Sequence, residues 1–127
     1  MTAAPALFLT ATLALLTAIL GLLVSLRRRE IGVSYGDGGD AVLARRVRAH
    51  GNLVEYAPMA VLLVWGLGAA GIGSGWAWAA ALILLAARLL HAAGVLRPKG
   101  VALRAAAMVA QHGVFILAAL ALLGALV

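Results

Sequence analysis

Cysteine is absent from the 127 residues. Disulfides, thiolate metal sites and a cysteine nucleophile are excluded with it. Acid is nearly absent too: Glu30, Asp37, Asp40 and Glu55 stand against ten lysines and arginines. Neither these acids nor the three histidines fall at metal-ligand spacing, so no metal site is expected. No glycine-rich phosphate loop, nucleophile elbow or HExxH motif is present. Charged residues make up only 11% of the chain. That scarcity excludes an ordinary soluble domain, whose surface needs about a quarter of its residues charged.

What is present is apolar. Hydrophobic residues reach 65% and mean hydropathy is +1.11. A chain this short cannot hide that much apolar surface from water, so its solvent is lipid. Four apolar runs predict an all-α polytopic membrane protein, a single bundle of four transmembrane helices over residues 1–127. Each run is close to the roughly 20 residues that cross a bilayer. The spans are expected at about residues 6–26, 50–71, 76–96 and 103–125.

The net charge of +6 sits in the connections. Arg27, Arg28, Arg29, Arg45, Arg46 and Arg48 lie between the first two spans, and Arg97 and Lys99 between the last two, with Arg104 at the edge of that loop. The middle connection is uncharged. The positive-inside rule then places loops one and three in the cytoplasm and both termini outside. It also explains the basic balance without nucleic acid. The first run has its arginines behind it rather than in front, so it reads as a retained span, not a signal peptide. Thr17, Gly21 and Ser25 recur at every fourth position, a stripe suited to close helix packing in lipid. Gly36, Asp37, Gly38 and Gly39 mark a loop within residues 30–40, and Asp40 is a plausible N-cap for a second helix starting near Ala41. Pro58 falls inside that helix, where it strips the Val54 carbonyl of its partner. Trp76 and Trp78 suit an outer aromatic anchor.

The polar residues within the spans converge on one end. At about 100° per residue, with Arg48 at zero, Asn52 falls near +40°, Glu55 near −20° and Arg45 near +60°. One helical face thus carries arginine, amide and carboxylate, with Tyr56 at its edge. Arg88 and His91 lie one turn apart toward the inner end of the third span. Arg104, Met108 and Gln111 share a face of the fourth. Charged groups at this depth are costly and mark a site or a paired helix contact. Arginines clamp carboxylates, Glu55 suits an ammonium or amide, and Asn52 suits either. The set fits a small zwitterionic or peptide ligand. Met108, Phe115 and the tryptophans read as core or lipid-facing residues, and Gln111 and His112 as hydrogen-bonding partners between helices.

These residues carry a resemblance. RAHGNLVEYAP, Arg48 to Pro58, resembles the signature of the MAPEG family, the membrane-associated proteins of eicosanoid and glutathione metabolism. Arg48, Asn52, Glu55, Tyr56 and Pro58 stand in its order. Length, four spans and basic loops one and three agree, and the small bacterial branch is the nearest in form. The resemblance implies a homotrimer with glutathione as co-substrate, bound between subunits at the cytoplasmic side of a bacterial inner membrane. It implies that Arg48, Asn52, Glu55 and Tyr56 hold the tripeptide. Arg27 or Arg28 would meet one of its carboxylates, and Arg88 and His91 would complete the pocket. Arg104 matches the arginine that stabilises the thiolate, the catalytic role. A lipophilic small molecule arriving through the membrane lipids would be the second substrate, in transferase or peroxidase chemistry. Two departures stand out: His91 and Val95 occupy positions where the family often has tyrosine. A non-catalytic membrane subunit of a larger complex, and a small proton-coupled transporter using Glu55, are the competing readings.

Overall fold

The computed structural model describes residues 3–127. It consists of four helices, α1 (Ala4–Ile31), α2 (Ala41–Ala69), α3 (Ser74–Leu96) and α4 (Val101–Gly124). Each is long and apolar enough to cross a membrane. Leucines such as Leu7, Leu15, Leu62, Leu117 and Leu120 stand exposed along them. In water such surface would drive association, whereas hydrocarbon solvates it at no cost.

α3 is the axis of the bundle and packs against each of the other three helices. Its buried face is half alanine, with Ala77, Ala80, Ala81, Ala87 and Ala92 beside Leu84, Gly94 and Val95. Small side chains let backbones approach closely, which in lipid replaces the hydrophobic effect as the source of cohesion. Leu9 and Leu13 of α1 and Leu53, Ala60 and Val64 of α2 complete this core. Gly21, from the small-residue stripe of α1, lies against the His50 ring of α2.

α1 continues past the span to Ile31, so the loop begins at Gly32 rather than at Glu30. The reason is local. Gly32 is the first residue after the apolar run free to adopt positive φ (70°), and it closes the helix by donating its N–H to the Arg28 carbonyl. The α2 start is where Asp40 sets it. The Asp40 carboxylate accepts from the Leu43 N–H at 2.6 Å and takes a two-pronged bond from Arg27, at 3.1 and 2.7 Å. Arg27 holds the Asp40 carboxyl well below the usual range, at about 2, with the Leu43 N–H adding to the effect. One carboxylate thereby caps α2 and anchors the end of α1. Arg46 reinforces the junction by donating to the Leu23 carbonyl at 2.8 Å. α2 runs unbroken through Pro58. The uncharged turn between α2 and α3 leads into Trp76 and Trp78, and the Trp78 ring packs on Phe8 at 5.5 Å.

Candidate functional site: a buried arginine between α2, α3 and α4

The centre of the site is Arg88, whose side chain is wholly enclosed although it carries a full charge. Its Nη1 donates to Asn52 Oδ1 of α2 at 2.8 Å. Its Nη2 points at the Met108 thioether of α4 at 3.5 Å. The guanidinium carbon lies 5.2 Å from the centre of the Tyr56 ring, a cation–π contact. The Nε finds no partner among the described residues. Nor does any carboxylate there pair with Arg88.

Around it the helices bring the other polar groups together. His91, one turn along α3, is buried. Tyr56 meets His112 edge-on at 5.8 Å and Phe115 at 6.4 Å. His112 Nδ1 lies 2.7 Å from the Met108 carbonyl. A carbonyl only accepts, so Nδ1 carries a proton and donates it there. Gln111 is fully buried, with both amide atoms unpartnered among the described residues.

Arg104 comes close to this cluster because two glycines let it. A Cβ at Gly94 would stand 2.8 Å from the Gly100 carbonyl oxygen and 2.9 Å from Arg104 Cγ. With hydrogens there instead, the first turn of α4 lies directly on the last turns of α3. The arginine that opens α4 therefore reaches the level of His91.

The motif on α2 is divided. Asn52 is buried and Tyr56 half-buried, while Arg48 and Glu55 face outward. The outward pair meet each other two turns apart, Arg48 Nη1 to Glu55 Oε1 at 3.5 Å. The angular reading explains this. The buried residues Ala49, Asn52, Leu53 and Ala60 occupy an arc from about +40° to +140°. Arg48 and Glu55, at about 0° and −20°, fall just outside it. The motif thus presents an inner half to Arg88 and an outer half to whatever lies beside α2.

Arg27 and Arg28 lie away from this cluster, at the loop. Arg27 is taken up by Asp40 and by Glu30 at 2.8 Å. Arg28 donates to the Ser34 and Gly36 carbonyls. Two residues outside the sequence-derived site join it. Met108, expected as simple core, supplies an acceptor to Arg88, and His112 supplies an edge to Tyr56. The spacing of Arg104, Met108 and Gln111 was the only sequence signal for the first. Among the described residues no cluster of acids and histidines is able to hold a metal ion.

The MAPEG family model matches residues 6–125. Two curated relatives are both inner membrane protein YecN, one from Escherichia coli strain K12 and one from E. coli O6:H1 strain CFT073. Each is 39% identical to this chain over 64 residues. The alignment covers 50% of this chain and 49% of each relative, so the chain spans about half the length of the curated relatives it matches.

Proposed function

Taking as premise that the chain belongs to the MAPEG family, we propose that it is a glutathione-dependent transferase or peroxidase of a bacterial inner membrane. The likeness to an E. coli inner membrane protein supports that location. In this reading loops one and three are cytoplasmic and three copies assemble. Glutathione lies against the polar cluster, with Arg48, Asn52, Glu55, Tyr56, Arg88 and His91 around it, and Arg27 or Arg28 at a carboxylate.

The observation that carries the reading is the buried Arg88 without an anion. An enclosed charge with no counter-charge is costly. Here a further cation, Arg104, packs against the end of the same helix at Gly94. Such a cluster has a strong surplus of positive potential in a low-dielectric setting. A ligand with two carboxylates and an ionisable thiol brings negative charge to the rim of this cluster. A free thiol ionises above neutral pH. A guanidinium beside the sulfur favours the thiolate by charge and hydrogen bonding. A shift of one to two pH units, about 1.4–2.7 kcal/mol, makes it a competent nucleophile. Arg104, at the opening of α4, is the residue for that role. The second substrate, an apolar electrophile or hydroperoxide, diffuses in laterally.

Thermal unfolding of the detergent-purified protein tests the reading. A ligand that binds only the folded state stabilises it by about 2.7 kcal/mol at a hundredfold excess over Kd. Reduced glutathione is expected to raise the unfolding temperature of the wild type and not that of Arg48→Ala. An unmoved wild type at millimolar glutathione overturns the reading. That result would favour a non-catalytic membrane subunit, for which the placement of Val95 speaks: it is buried in the core and offers the site no hydroxyl.

A further inference from the structure

In the glutathione reading Arg88 is one of several residues around the ligand, but its geometry assigns it a narrower part. It is enclosed on all sides, and its contacts are the Asn52 oxygen, the Met108 sulfur and the Tyr56 ring. It touches no surface itself, so it acts on the site through the groups it holds, and of these Asn52, buried beside it, is the one it hydrogen-bonds most closely. A guanidinium carries five N–H donors and no acceptor. The Asn52 atom opposite Arg88 Nη1 must then be the carbonyl oxygen, because an NH2 group there would set donor against donor. This settles which way the carboxamide is turned. Its oxygen is bound to Arg88, and its Nδ2, with two N–H groups, is what remains to offer a ligand.

We propose that Arg88 is a positioning residue that locks the Asn52 side chain as a pure hydrogen-bond donor. The part of glutathione read by Asn52 is then an acceptor, a carboxylate or a peptide carbonyl, and never the ammonium. The ammonium is left to the one carboxylate on this helix, Glu55. Without the lock Asn52 can turn and present either end, so Arg88 converts an ambidextrous side chain into a selective one. The proposal rests on the glutathione reading above and deepens it.

The decisive variant is Asn52→Asp. Aspartate keeps an oxygen facing Arg88, and as an anion it pairs with it more strongly than the amide does. The second carboxylate oxygen, however, is an acceptor where the wild type has donors. Asn52→Asp is expected to unfold, without ligand, at or above the wild-type temperature. Its affinity for reduced glutathione, read from the ligand-induced shift, is expected to fall about tenfold or more. Arg88→Lys and Arg88→Met supply the control. The lysine can still donate to Oδ1 and is expected to retain most of the glutathione response. The methionine cannot, and is expected to lose it while the protein stays folded.

A wild type that responds to glutathione together with an Asn52→Asp that responds equally would overturn the proposal alone. An Asn52→Asp chain that does not fold would also overturn it, since a carboxylate opposite Arg88 should stabilise. A wild type that does not respond at all would remove the glutathione reading and the proposal with it.

Discussion

Asn52→Leu is expected to destabilise the protein by about 3 kcal/mol, and Arg88→Met added to it is expected to restore most of that loss. The first effect follows from the single strong acceptor Arg88 possesses. Asn52 Oδ1 takes its Nη1 at 2.8 Å, whereas the Met108 sulfur at 3.5 Å is a weak acceptor. Removing that oxygen strands a charged donor in the buried interior of the bundle, and an unsatisfied charged group costs more than an unsatisfied neutral one. The second effect follows from the absence of a counter-charge. Methionine fills a similar volume without charge, and replacing both members of a buried polar pair by apolar groups is often neutral or stabilising. The double variant should therefore unfold within about 1 kcal/mol of the wild type. Unfolding titrations of the four proteins in mixed micelles close the cycle. A double variant as unstable as Asn52→Leu would mean that Arg88 holds the fold together, and the claim that it is kept for a ligand would fail.

Gly100→Ala is expected to cost about 3 kcal/mol, a large effect for one methyl group. Overpacking ordinarily costs about 1–3 kcal/mol because a side chain can move aside. Here the obstacle is backbone. A Cβ on Gly100 would run into the Gly94 carbonyl oxygen and stand 2.6 Å from its carbonyl carbon and from its Cα. Relief requires α4 to lift off α3, and the first turn of α4 carries Arg104. The substitution should therefore lower the unfolding temperature and weaken the glutathione response together. Gly113, further along α4, faces open space, so Gly113→Ala serves as the control. If Gly100→Ala unfolds like the wild type, the close crossing of α3 and α4 is not what positions Arg104.

The helices were readable because their limits are written in residue type. Apolar runs are bracketed by arginines, by the glycines near residues 36–39 and by those near residue 71. Asp40 announced its capping role, since few residues besides Asp, Asn, Ser and Thr satisfy the first N–H groups of a helix. Its bond to Arg27 was not readable, because it spans 13 positions across a loop whose path no local pattern determines. The convergence of Asn52, Arg88, His91 and Arg104 followed from their common depth in the spans. Their arrangement did not. Periodicity fixes the angle between Asn52 and Glu55 but not the direction of the bundle axis, and the edge of the buried face happens to fall between them. Met108 reads as core because a thioether at a helical core spacing is usually just that. Only its placement opposite a cation makes it an acceptor.

The most direct measurement is the ultraviolet absorbance of the glutathione thiolate on addition of the tripeptide to the detergent-purified protein at neutral pH. The wild type is expected to develop thiolate absorbance that saturates with ligand, and Arg104→Ala is expected to bind glutathione without it. A wild type that binds glutathione entirely as the thiol would contradict thiolate activation by this site.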